Sequence, residues 1–176
     1  MLMHKSITAF AVTFATLACS LSPTQSYAAT LSPVCKTVMD ANDKQYTTPV
    51  HLYLTRSGTT NESIATGDAM YVKTKGNWRR SPITPKVMLE MRNDALKEAK
   101  SLDCRHLRDE AVNGESAAVY SMSNVTEDGR TDGQIWISRS RDLPLKSEMD
   151  VTTGADKTHT SIRYDYRNVQ APAGVK

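Results

Sequence analysis

The stretch from Gly133 to Val151, GQIWISRSRDLPLKSEMDV, restricts the fold more tightly than any other part of the chain. Ile135 and Ile137 project one way, and Trp136 and Ser138 the other. After Arg141-Asp142-Leu143-Pro144, Leu145, Met149 and Val151 fall on one side, with Lys146, Glu148 and Asp150 on the other. A period of two marks strands with a buried face. The proline between them cannot donate to a central ladder, so the pair reads as two strands joined by a turn.

The same alternation recurs along the chain. Val50–Arg56, Asn61–Thr66, Ala69–Lys75, Trp78–Arg80, His106–Val112, Ser116–Val125 and Thr158–Val169 read as further strand candidates. Turns are expected at Ser57-Gly58, Gly76-Asn77, Asn113-Gly114 and Gly154-Ala155. Two helices interrupt the pattern. Ser32-Pro33 opens a short one over 33–43. Thr84-Pro85 opens a longer one, whose Met88, Met91, Ala95, Ala99 and Leu102 recur at steps of three or four, reach about residue 102 and should face the sheet. Sequential strands with short turns pair antiparallel. The expectation is an α+β chain: a curved antiparallel sheet of seven or eight strands, covered on one face by two helices.

The N-terminus reads as a separate segment. Lys5 precedes the apolar run Ile7–Ala18, and Ser26-Tyr27-Ala28 has the small-x-small form of a cleavage site. The run is shorter than the roughly 20 residues a membrane span needs. The expected organisation is a signal peptide over 1–28, then a single domain over 29–176 ending in a loose tail. Lipid attachment at Cys19 is the alternative, and Thr16-Leu17-Ala18 fits it poorly. Cys35 and Cys104 then remain, and in an exported chain an even count predicts a disulfide. That bridge closes a loop of about 70 residues, worth about 4 kcal/mol in the chain-entropy account. It should tie the first helix to the end of the second.

The formal charge of +3 is too small for a dedicated nucleic-acid binder. No His spacing makes a metal motif, no G-x-S-x-G elbow is present, and Glu90, Asp94 and Glu98 form a solvated helix row. No cofactor, metal or catalytic residue is expected, and the chain reads as no enzyme.

Gly133-Gln134-Ile135-Trp136-Ile137-Ser138, Leu143-Pro144-Leu145-Lys146-Ser147-Glu148 and the closing Tyr164-Asp165-Tyr166-Arg167-Asn168-Val169 are similar to paired strands of the periplasmic lipoprotein-carrier superfamily, the Lol-type half-barrels. The resemblance implies a bacterial periplasmic protein whose half-barrel holds a lipid, a lipoprotein acyl chain or another amphipathic ligand between helix and sheet. Met88, Met91, Ile135, Trp136, Ile137, Tyr164 and Tyr166 are the candidate contacts, without a choice of inner face. Each has an ordinary core role as its alternative. Lys73, Lys75, Trp78, Arg79 and Arg80 form a second candidate surface, a basic aromatic hairpin suited to an anionic envelope component. Its alternative is a charged strand edge that resists aggregation.

Overall fold

The computed structural model describes residues 31–175. The signal segment, its cleavage after Ala28 and lipid attachment at Cys19 lie outside the described residues. Within them the order is α1 (Pro33–Thr47), β1 (Val50–Arg56), β2 (Thr59–Ala65), β3 (Met70–Thr74), β4 (Asn77–Arg80), α2 (Pro85–Lys97), β5 (Ser101–Val112), β6 (Glu115–Val125), β7 (Arg130–Ser138), β8 (Pro144–Thr153) and β9 (Asp156–Asp165). The fold is α+β, as expected, but the sheet has nine strands rather than seven or eight. All nine candidate segments form strands, with β4 the shortest and β5 starting earlier than expected.

The strand order is β4-β3-β2-β1-β9-β8-β7-β6-β5, so two meanders join where β1 pairs with β9. Every neighbouring pair is antiparallel. The sheet is open, with β4 and β5 as its two edges. The link from β4 to β5 must therefore cross the whole layer. Eight inter-strand spacings of about 4.8 Å make about 38 Å if the sheet is flat. The 13-residue α2 covers about 20 Å. The seven residues flanking it reach about 24 Å at full extension. That reach exceeds the flat-sheet span by about 6 Å, and a bent sheet shortens the crossing further.

Both helices start as their sequences dictate. Ser32 Oγ accepts from the Cys35 amide at 3.1 Å, and Thr84 Oγ1 from the Val87 amide at 3.3 Å, with proline in the first turn of each. α1 covers the sheet as expected, and it is α2 that is placed differently. α1 lies directly on the sheet and buries Cys35, Val38, Met39, Ala41 and Gln45. Val38, Met39 and Ala41 pack with Ile135 and Ile137, flanked by Leu96, Leu102, Cys104, Tyr120 and Met122. α2 packs chiefly on α1.

α2 also stops at Lys97, so Leu102 belongs to β5 and pairs with Asn124. The stripe expected to face the sheet does so only in part: Met91 is 56% exposed and Ala95 is exposed, while Leu96, off the stripe, reaches the core. The Cys35–Cys104 disulfide is present, with Cα atoms 5.0 Å apart, and fastens α1 to edge strand β5 rather than to α2.

Smaller departures have local causes. The β3–β4 turn sits at Lys75-Gly76, with φ of 50° and 81°, one residue before the expected Gly76-Asn77. A bulge between Trp136 and Ile137 opposes Lys146 and Pro144 and takes Leu145 off the face it would share with Met149. Leu145 packs instead with Trp136, Ala117 and Val119. Gly133 sits inside β7, where an added Cβ would lie 2.5 Å from the Glu148 carbonyl oxygen. The last strand ends at Asp165, and in the tail beyond it Val169 and Val175 pack against Ile64, Ala69, Tyr71 and Trp78.

Candidate functional site

The cross-strand registers sort the side chains into two faces. On the helix side, Leu54, Ile162, Ser147, Ile135 and Tyr120 are successive neighbours across β1, β9, β8, β7 and β6. On the far side the matching row is Tyr53, Arg163, Lys146, Trp136 and Val119. Because strand side chains alternate, adjacent residues in β7 serve opposite surfaces.

A cleft of about 280 Å³ lies between the helices and the first of these faces. α1 contributes Met39, Asn42, Gln45 and Tyr46, and α2 contributes Arg92, Ala95 and Leu96. The sheet supplies Leu102, Met122, Asn124, Thr131, Gly133, Gln134, Ile135, Ser147, Met149, Ile162 and Tyr164. The volume follows from side-chain size. Gly133 lacks a side chain, Ala95 on α2 has only a methyl group, and three methionines fill the walls loosely.

The cleft is electrically quiet. Burial pushes the Tyr164 hydroxyl pKa up to about 12, against a hydrogen bond shared with Ser147 at 3.3 Å. Burial also raises Tyr46, with Arg92 and the Gln45 amide pulling the other way. Both phenols are therefore neutral across the physiological range. Arg92 is committed to Asp43 and lies 2.8 Å from Met39 Sδ. Two lining groups stand apart: the buried oxygens Gln45 Oε1 and Asn124 Oδ1 have no hydrogen-bond partner among the described residues.

The structure divides the candidates named from the sequence. It brings Ile135 and Tyr164 to the cleft, and places Ile137 beside it in the same core cluster. Met88 and Met91 do not line it. Trp136 lies on the far face, its indole N–H 2.5 Å from Glu110 Oε1 and its ring 4.6 Å below Lys146 Nζ. Tyr166 stacks parallel to Tyr164 at 6.5 Å and has the Arg141 guanidinium over its ring at 5.2 Å. Gln45 and Asn124 were not among the candidates. A polar residue on a buried helix face resembles a solvated one until the packing is known.

The far face holds a wider depression of about 620 Å³, lined by Tyr53, Thr55, Thr60, Ser161, Arg163, Lys146 and the Glu110–Asn113 tip. It is open and polar. An apolar ligand gains more from the smaller cleft, whose walls it can dehydrate.

The basic hairpin is split in the same way. Trp78 and Lys73 pair across β3 and β4 on the far face, with Lys73 Nζ 5.6 Å over the indole and 2.8 Å from Glu62. Arg79 falls on the other face by alternation, and Lys75 occupies the turn. No ion pair among the described residues involves Lys75, Arg79 or Arg80. No described helix is long and apolar enough to cross a membrane.

No protein-family model matches the chain, and no curated protein matches it. Among solved structures it is similar to Mycobacterium tuberculosis lipoprotein LppX at 10% identity, over 79% of this chain and 98% of that one, with a TM-score of 0.49. That degree of similarity carries no functional argument, and the site stands on its own geometry.

Proposed function

We propose that the protein is a non-enzymatic exported binding protein, periplasmic in a bacterial cell, that holds the apolar part of an amphipathic ligand between α1, α2 and the sheet. The observation that carries this reading is the cleft of about 280 Å³ with Met39, Leu96, Met122, Ile135, Met149 and Ile162 among its walls. A dry apolar cavity of about 150 Å³ suffices for a benzene molecule. The cleft therefore suits a single acyl chain of moderate length or one ring system, and is too small for a two-chain lipid. The resemblance of Gly133–Ser138 and Leu143–Glu148 to lipoprotein carriers points to the same ligand class.

The energetics are modest. Each buried methylene contributes about 0.8 kcal/mol, so eight contribute about 6 kcal/mol before the cost of association. Chain burial alone leaves affinity weaker than micromolar, which suits a carrier that must release its cargo.

Native mass spectrometry of protein isolated from its host tests this reading, together with titration by ten-carbon amphiphiles. The expected result is a co-purified single-chain amphiphile and saturable binding, lost in Ala95→Phe with the melting temperature unchanged. No co-purified amphiphile and no saturable binding overturns it.

A second reading rests on the exposed, unpaired Lys75, Arg79 and Arg80 beside edge strand β4, which suit an anionic envelope component. Salt-sensitive retention on anionic envelope material, weakened in Arg79→Ala with Arg80→Ala, is its expected outcome. Retention unchanged in that double variant removes it.

A further inference from the structure

The far-face depression of about 620 Å³ sets two cations side by side on its floor. Lys146 of β8 and Arg163 of β9 are direct cross-strand partners, and both line it. Like charges placed opposite each other weaken a sheet. Each cation is held over an aromatic ring: the Arg163 guanidinium lies 3.8 Å from the Tyr53 ring centre, and Lys146 Nζ lies 4.6 Å from that of Trp136. Tyr53 is itself braced, since its hydroxyl lies 3.1 Å from His51 Nδ1 and its ring stacks on that imidazole at 4.3 Å. Stacking orients a cation without neutralising it.

The neighbouring carboxylates are engaged elsewhere. Glu148 holds Lys146 at 2.6 Å, Glu110 accepts from Arg108 at 2.7 Å, and Asp165 is bound by Arg167 at 2.9 Å. Arg163 is exposed and makes no ion pair among the described residues. A planar guanidinium fixed in direction and lacking an anion matches a carboxylate or a phosphate.

The floor beside it is hydroxylated. Thr60, Thr55 and Ser161 form a cross-strand row over β2, β1 and β9, next to the Tyr53–Arg163 pair, and all three line the depression. Thr55 and Thr60 share one hydrogen bond at 2.8 Å, which uses only one of their two O–H donors. The volume falls within the range of small-molecule sites, about 300–1,000 Å³. A wall of this kind offers little to an alkyl chain and suits a polyol, which exchanges its water for these hydroxyls.

We propose that the depression binds a sugar bearing an acid group, a phosphate or a carboxylate, with the acid on Arg163 and the sugar hydroxyls on Thr55, Thr60 and Ser161. Lys146 supplies the second positive charge of the site. The depression lies on the opposite face of the sheet from the cleft, and the proposal does not rest on the cleft being occupied.

Calorimetric titration with glucose 6-phosphate, glucuronate, glucose and inorganic phosphate tests it. The two acidic sugars should bind saturably, about tenfold or more tightly than glucose or inorganic phosphate. Arg163→Gln should remove their advantage over glucose, and Arg163→Lys, which keeps the charge and loses the fork, should fall between. Lys157→Gln removes a charge from the same face of β9 outside the depression and should leave affinity unchanged. Ser161→Ala should weaken both acidic sugars severalfold and leave inorganic phosphate as it was. Tighter binding of glucose 6-phosphate than glucuronate identifies the acid as a phosphate, and the reverse identifies it as a carboxylate.

Glucose binding as tightly as the acidic sugars overturns the proposal, as does inorganic phosphate binding as tightly as glucose 6-phosphate. Equal weakening by Arg163→Gln and Lys157→Gln reduces the effect to general surface charge and overturns it too. No binding of any probe does the same, and each of these results leaves the cleft reading standing.

Discussion

Ile135 and Trp136 are adjacent in β7 and serve opposite faces of the sheet: Ile135 lines the cleft under α1, while the Trp136 indole donates to Glu110 at 2.5 Å on the far side. Trp78 shares that far side, 5.8 Å from His51. Neither tryptophan lines the cleft, and that placement decides how ligand binding can be observed.

Intrinsic tryptophan emission should barely respond to a cleft ligand. Fluorescence spectra at saturating 1-decanol check this, with wild type, Trp78→Phe and Trp136→Phe compared. A shift that survives in Trp78→Phe and vanishes in Trp136→Phe would place the ligand on the wrong face.

The disulfide should carry a large share of the stability. Cys35 and Cys104 are 69 residues apart in sequence, so the bridge removes about 4 kcal/mol of denatured-state freedom. It also holds α1 at the edge of the sheet. The expected outcome is that Cys35→Ala with Cys104→Ala lowers unfolding free energy by about 4 kcal/mol in urea melts, as reduction does for the wild type. A loss under about 1 kcal/mol contradicts this account.

Tyr166→Phe should stabilise the protein. The Tyr166 hydroxyl is buried without a partner among the described residues, next to Tyr164 and the Val50–Ala65 cluster, and burial raises its pKa well above the ordinary phenol range. Removing it leaves the ring packing and deletes an unsatisfied polar atom, for a gain of about 1 kcal/mol. Thermal melts check the sign.

Asp165 should titrate far below an ordinary aspartate. Side-chain and backbone hydrogen bonds from Arg167 lower its pKa from 3.8 to about 2, with Arg163 adding a weaker pull. A depressed carboxyl contributes stability that is fully present above its unfolded pKa and is lost as pH falls through the folded one. The window here is about pH 4 down to 2. The contribution is small because Arg167 is exposed and the pair is local. Carboxyl carbon shifts followed by NMR should give a midpoint near 2, and Arg167→Ala, which keeps the backbone N–H bond, should return it part of the way to the ordinary value.

Much of the sheet was legible because strand periodicity is local. The alternation of Ile135, Trp136 and Ile137, and the Asn113-Gly114 turn with φ of 51° and 83°, need no distant partner. The end of α2 was not. Ala99 and Leu102 continue the helical step, but the Lys100 N–H donates to the Val125 carbonyl and Leu102 pairs with Asn124, on the strand face it shares with Cys104. The side of α2 that meets the core was hidden for a related reason: it packs on α1 rather than on the sheet, so Leu96 is used where Met91 was expected. The bulge that redirects Leu145 leaves no trace in the residue pattern. The acceptor oxygens of Gln45 and Asn124 are visible only once helix and sheet are brought together.

The methionines provide the most direct test of the central claim, that the space between α1 and the sheet is a ligand site. Met39, Met122 and Met149 line the cleft, while Met70, Met88 and Met91 do not. With methyl-labelled methionine, titration by 1-decanol and methyl decanoate should shift the first three ε-methyl resonances saturably and leave Met91 unmoved. Unshifted cleft methyls, or shifts confined to Met88 and Met91, would contradict the account.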